Sequence, residues 1–238
     1  MLNKMTFNTK KNDVLRVTSG VALLVLISLA ILKSLLLSAL IIFLIFIGMV
    51  REWYSITSSS LRDFAIGLFV IFVSISSIFI IRLLGNGSEI LLWYMVIIGS
   101  YDTFAMYIGR FVGGAKIAPK TSPMKTWSGF WGGLYFACLF SSILIIILNS
   151  QVLEPFINFS EFYIFKSHFF FRFGIIFPTT IIVVLAHLGD YFESYFKRKY
   201  NVKDSGSIIP GHGGVLDRFD SILFSAPFLL LITLYLDG

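Results

Sequence analysis

The chain has 238 residues, of which 57% are hydrophobic and only 13% charged, with a formal net charge of +6 and a mean hydropathy of +0.87. Water-soluble domains carry roughly 25% charged residues, so an ordinary soluble fold is excluded. Its 26 Phe, 10 Tyr and 4 Trp exclude disorder, and the lack of a Gly-X-Y or heptad period excludes fibrous and coiled-coil chains.

A membrane-spanning helix needs about 20 mostly apolar residues, fewer where interfacial groups flank it. Such runs occur at 19–31, 35–50, 64–81, 90–108, 130–148, 173–188 and 221–236. They predict an all-α fold, a polytopic integral membrane helical bundle of about seven spans, in one domain over 1–238. The first two runs are short and meet at Lys33 and Ser34, which reads as a helical hairpin, with one long tilted helix as the alternative. The first run starts late and no small-residue cleavage site follows it, so no signal peptide is expected. Cys138 lies in the apolar run FACLFSSILIIIL; with no second cysteine it forms no intrachain disulfide and reads as a packing or lipid-facing thiol.

Positive residues in short loops are retained on the cytoplasmic side. With the N-terminus inside, 15 of the 19 Lys and Arg fall in cytoplasmic segments, leaving Lys33, Arg82, Lys166 and Arg172 outside. The expected topology is N-in and C-out, with loops 110–129 and 189–220 on the cytoplasmic face. Both loops are rich in Gly, Pro, Lys, Arg, Asp and Ser, so function is expected to concentrate there. The competing reading makes them positive anchors for anionic headgroups.

The helix entering the first loop carries Asp102, and charge within a bilayer usually faces a cavity or a partner. Asp102, Ala105 and Gly109 lie at i, i+3 and i+7, which sets a carboxylate beside small residues on one face; pairing of Asp102 with Arg110 or another basic residue is the structural alternative. Beyond it come Arg110, Gly113, Gly114 and Lys116, then Ser122, Pro123, Lys125, Thr126, Ser128 and Gly129. Glycine lets backbone amides approach an anion while Lys, Arg and hydroxyls donate to phosphate oxygens, so this is a candidate phosphate cradle. It is not a P-loop, because GxxxxGK[ST] does not occur. Gly132 and Gly133 would serve helix packing within one chain or between two, as in a homodimer.

The second loop gathers Asp190, Glu193, Asp204, Asp217 and Asp220, five of the 13 acidic residues, with His187, His212 and five cations. Mg²⁺ prefers one or two carboxylates plus phosphate oxygens, so this composition suits a meeting of Mg²⁺ with a polyphosphate; a solvated charged loop is the plainer reading. Asp190, Glu193, Ser194 and Lys197 share one face if the helix continues past the membrane, and Asp217 and Asp220 are again i, i+3. One of that last pair could equally be a helix cap. PGHGG has the backbone freedom to fold over a ligand near His212, whereas His187, within an apolar helix, reads as a packing residue.

The segment SYFKRKYNVKDSGSIIPGHGGVLDRFD, from Ser194 to Asp220, resembles the signature of the phosphatidate cytidylyltransferases over 27 residues. Gly189, Asp190 and Glu193 resemble its G-D-x-x-E-S entry. Asp102, Ala105, Tyr107, Gly109 and Arg110, with Ser122, Pro123, Lys125, Thr126 and Gly129, resemble the family's other cytoplasmic loop. Ser128 departs from it, standing where the pattern K-T-x-E-G has an acid, and the N-terminal half is short for a family that often has eight or nine spans.

The resemblance implies nucleotidyl transfer from CTP to phosphatidate at the cytoplasmic face of the inner membrane, giving CDP-diacylglycerol and pyrophosphate. It divides the domain into N-terminal helices over about 18–82 and a catalytic part over about 90–238. It implies Asp190, Asp217 and Asp220 as Mg²⁺ ligands, with Lys197 and Arg218 also catalytic. Substrate would be bound by Ser122, Lys125, Asp102, Arg110, Arg198, Lys203, Asp204, His212, Gly213 and Gly214. A cytidylyltransferase for another lipid phosphate is the near alternative and an ion or solute transporter the distant one. The D-G-x-x-A-R opening of CDP-linked lipid transferases is absent, and no basic, aromatic soluble surface is available for nucleic acid.

Overall fold

The computed structural model describes residues 26–119, 121–149, 174–206 and 213–237. Residues 26–33 are helical and Ser34 interrupts the helix, while 19–25 of the first apolar run lie outside the described residues. The backbone of Ser34 is extended and its hydroxyl accepts the Leu37 amide, so it caps helix α1, Leu35–Thr57. A short turn and a second serine cap, Ser60, start α2, Leu61–Leu83. Helix α3, Gly87–Val112, ends where Gly113 takes φ +67°, a left-handed conformation that glycine adopts without a Cβ clash.

The segment after α3 departs from an all-helical expectation. Strands β1, Lys116–Ala118, and β2, Ser122–Thr126, form an antiparallel hairpin with Lys116 opposite Thr126 and Ala118 opposite Ser122. Eight residues of strand are too few for an alternating pattern to stand out, and Pro123 argues against a strand except at an edge. Helix α4, Trp127–Asn149, leaves the hairpin directly. Helix α5, Ile176–Lys199, the short turn α6, Leu216–Phe219, and α7, Ile222–Asp237, complete the described chain.

Helices α1 to α5 are long and apolar enough to cross a membrane, and α7 is a shorter apolar helix. Their outer faces are greasy: Leu36 is 82% exposed and Phe69 and Ile146 each 68%. Apolar surface on that scale has no partner within the protein and belongs against lipid. The molecule is a helical membrane protein. The helices outrun the apolar stretches that predict them; α5 continues well past Leu188 to Lys199, because Glu193, Lys197, Arg198 and Lys199 favour helix and Phe192 and Phe196 pack on Trp53.

Close helix crossings use small residues. Across α3 and α4, a Cβ on Gly133 would lie 2.9 Å from Ala105 Cβ, and one on Gly129 would lie 3.2 Å from Gly109 Cα. Gly132 and Gly133 thus serve packing within the chain. Trp53, 1% exposed, stacks on Phe192 with ring centroids 5.7 Å apart and meets the edge of Phe196 at 4.9 Å. Its indole N–H donates to the carbonyls of Asp63 and Phe64, so one side chain ties α1, α2 and α5 together. Ser74 donates to the Leu223 carbonyl at 2.5 Å, and the Tyr94 and Ser225 hydroxyls are 2.6 Å apart, joining α2 and α3 to α7.

Helix α5 passes α7 at Gly189, where an added Cβ would run into the Asp220 carbonyl and come within 3.5 Å of Leu223 Cβ. The obstacle is backbone and cannot swing away. Gly189→Ala is therefore expected to cost about 1–3 kcal/mol as an overpacking change, seen as a lower Tm of the detergent-solubilised protein. An unchanged Tm would refute so close a crossing.

Candidate active site

The final turns of α5 present Asp190, Glu193, Ser194 and Lys197 along one face, as their spacing predicts. Ser194 donates to Asp190 Oδ1 at 3.2 Å. Lys197 Nζ lies 3.1 Å from Glu193 Oε2 and 2.6 Å from Asp217 Oδ1. The other oxygen of Asp217 accepts the Gly214 amide at 2.8 Å and the Ser205 amide at 2.9 Å. Burial alone would raise the Asp217 carboxyl, but the Lys197 ammonium and the two amides outweigh it and hold the group below the ordinary carboxylate range.

The first loop reaches this cluster through Lys125 of β2, which ion-pairs with Asp190. Burial pushes the Lys125 ammonium below its usual value, against the counter-pull of Asp220, Asp102 and Glu193. Asp220 moves the other way: burial raises its carboxyl despite Lys125 and Lys197 nearby. Two loops separated by most of α4 and α5 thus share one electrostatic cluster. Asp102 of α3 belongs to it as well, within reach of Asp220, Lys125 and Arg218.

The three acids expected to hold a metal do not converge. Among the described residues no three His, Cys, Asp or Glu side chains are placed to ligate one ion. Asp190 is engaged by Lys125 and Ser194, and Asp217 by Lys197 and two amides. Asp220 instead lies against Glu193, a fully buried carboxylate whose charge is met by the Lys197 ammonium at 3.1 Å from Oε2 but whose oxygens accept no well-aligned hydrogen bond. Buried polar oxygens are rarely left so. This acidic pair fits a divalent cation that takes its other ligands from phosphate and water.

The remaining candidates sit at different removes. Arg198 is exposed and makes a long 3.4 Å contact to the Thr121 carbonyl, beside Ser122 at the start of β2. Arg110, Lys203, Asp204 and Arg218 are exposed, and His212 lies outside the described residues. Gly213 and Gly214 pack against the protein's own carboxylates. Gly213 has φ +81°, and a Cβ there would lie 2.7 Å from Asp217 Oδ2, while one on Gly214 would lie 2.7 Å from Glu52 Cδ. These glycines let the backbone close around the protein's own carboxylates. His187 Nδ1 is 3.1 Å from the Tyr101 hydroxyl and its ring meets the edge of Phe130, a packing position as expected. Ser128 donates to the Gly113 carbonyl and lies 3.0 Å from the Thr126 hydroxyl. An ionised carboxylate could not make that donation, so serine clasps the hairpin to the end of α3.

Glu52 of α1 is the residue that sequence reasoning missed. It is 4% exposed, and its Oε2 accepts the Ser205 hydroxyl and the Leu216 amide, each at 2.8 Å, while Oε1 accepts the Val215 amide at 2.9 Å. The signal was a carboxylate two residues past an apolar run, overlooked because the predicted helix stops at Val50; a charge inside so long an apolar helix demands a partner. Asp63 is similar: at the start of α2 it takes Lys199 and, at 2.6 Å, the Tyr200 hydroxyl.

The sequence model of the cytidylyltransferase family matches residues 59–236. A Rickettsia conorii protein called phosphatidate cytidylyltransferase is 41% identical over 227 residues, 95% of this chain and 94% of its own. A Rickettsia bellii protein of the same name is 42% identical over 228 residues, with the same coverage. One from Bacillus subtilis, again so named, is 38% identical over 146 residues, 61% of this chain and 48% of its own. The two longer matches cover almost the whole chain. The motif resemblance is borne out across the fold that carries it, and the chain belongs to the cytidylyltransferase family.

Proposed function

We propose that this protein transfers a cytidylyl group from CTP to phosphatidate, yielding CDP-diacylglycerol and pyrophosphate for phospholipid synthesis. The observation that carries this reading is the meeting of Lys125 with Asp190, which joins the two motif loops into one cationic and acidic cluster, in a chain whose relatives are named for that activity. A phosphatidate phosphate oxygen attacks the α-phosphorus of CTP, the bond to the β-phosphate breaks, and the electron pair leaves with pyrophosphate. The attacking phosphate is already anionic and needs no strong base. The barrier lies in bringing two anions together, so positioning and charge compensation dominate.

Lys125 and Lys197 are the cations best placed for this, with Arg198, Arg218, Arg110 and Lys203 around them to receive phosphate oxygens and Ser122 at the hairpin edge. Mg²⁺ would neutralise the triphosphate and the departing pyrophosphate. Asp220 with Glu193 offers its best-fitting ligands, and Asp190 and Asp217 could join once Lys125 and Lys197 turn to phosphate. The excess of Lys and Arg in one set of loops supports a site on the cytoplasmic face of the inner membrane, where phosphatidate and cytosolic CTP both arrive.

The test is detergent-purified protein with labelled CTP, dioleoyl phosphatidate and Mg²⁺, followed by lipid extraction. Label in a CDP-lipid, lost with EDTA, is expected. Folded protein that leaves all label in the aqueous phase overturns the reading, and transfer only to another lipid phosphate would reassign the acceptor.

A further inference from the structure

We propose that Glu52 is a positioning residue for the transfer reaction, acting through the loop that holds Asp217; this rests on the placement of Asp217 in the active site. Three donors converge on this one carboxylate: the Ser205 hydroxyl, the Val215 amide and the Leu216 amide. Val215 and Leu216 immediately precede Asp217, and the Ser205 and Gly214 amides fill one oxygen of Asp217. The Ser205 hydroxyl lies 2.8 Å from Glu52 but also 3.0 Å from Asp217. It has one proton and both neighbours are acceptors, so the shorter contact to Glu52 takes it. Lys197 holds the other oxygen of Asp217 at 2.6 Å.

The fit around Glu52 is close on every side. A Cβ on Gly206 would lie 2.5 Å from Glu52 Oε1, and one turn earlier on α1 a Cβ on Gly48 would touch Val215 at 3.0 Å. Helix α1 therefore grips the motif loop at two levels, with Gly48 under the Val215 side chain and Glu52 under its backbone. Glu52 lies outside residues 59–236 that define the family match, on a helix whose composition reads only as membrane anchor. Its geometry instead makes α1 the floor on which the catalytic loop is set.

Glu52→Gln is the informative change. It preserves volume, but a carboxamide must turn its NH₂ group toward at least one of the donors that the carboxylate accepts. With folding checked by elution profile and Tm, kcat is expected to fall about 10- to 100-fold, the usual range for residues that orient a catalytic group, with the KM for phosphatidate little changed. A merely structural role would lower Tm and the active fraction but leave kcat per folded molecule alone. Asp217→Asn is measured alongside. Wild-type kcat in Glu52→Gln with Asp217→Asn inactive overturns the proposal by itself; an active Asp217→Asn variant overturns it by removing Asp217 from the site. If Glu52→Gln does not fold, Ser205→Ala decides: lowered kcat supports the linkage, and wild-type kcat refutes it.

Discussion

Asp217→Asn is expected to lower cytidylyl transfer by at least about 100-fold while the protein still inserts and elutes as a folded species, on the scale of losses when preorganised electrostatic groups are removed. All the partners of Asp217 are donors: Lys197 on one oxygen, the Gly214 and Ser205 amides on the other. Asparagine has only one acceptor atom, so whichever way its amide turns, an NH₂ group faces an ammonium or a pair of backbone N–H groups. The loop loses its lock and Lys197 loses the charge that aims it. The check is the labelled-CTP assay on matched amounts of folded protein. Substantial residual transfer would take Asp217 out of the site.

Lys197→Met is the second large effect, and it reaches stability as well as turnover. The Lys197 side chain is 12% exposed and lies between Glu193, fully buried, and Asp217, 12% exposed. Methionine keeps much of the stem but leaves the two acids facing each other with Asp220 close by. Removing one partner of such a buried arrangement costs about 3–5 kcal/mol, readable as a marked drop in Tm at neutral pH. The sign of the pH dependence comes from Asp217, whose folded-state carboxyl is held below its ordinary value. Its stabilising contribution is complete above the unfolded value of about 4 and is lost as pH falls through the folded value. The gap between wild type and variant should thus be widest near neutrality and narrow in acid. A constant gap would mean that lost packing, not lost charge compensation, accounts for the change. Transfer should fall with it, since Lys197 is also one of the two cations nearest the acidic cluster.

Much of the fold is legible in the sequence because its signals are local. Long apolar runs identify membrane helices from transfer free energy alone: six of the seven appear as helices, and the described end of the first, residues 26–31, is helical too. The i, i+3, i+4, i+7 spacing of Asp190, Glu193, Ser194 and Lys197 needs only helical periodicity to place them on one face. Other assignments change once partners are visible. Gly213 and Gly214, expected to bind substrate, also pack on Asp217 and Glu52. Ser128, read as the loss of an acid, makes a donation that an ionised acid could not. The β1–β2 hairpin is too short to announce itself, yet it is what carries Lys125 to Asp190.

By itself the amino-acid sequence determined the solvent this chain folds in, the helices that solvent demands and the motif that marks its family, since hydropathy and short-range spacing are properties of neighbours along the chain. Only the tertiary structure decided which charges meet. Glu52 finds Val215 and Leu216 across 163 and 164 residues, and Lys125 finds Asp190 across two helices. Those encounters depend on where helices cross. The crossings are fixed by close approaches at Gly48, Gly129 and Gly189, and no periodicity records which distant surface each of these glycines admits.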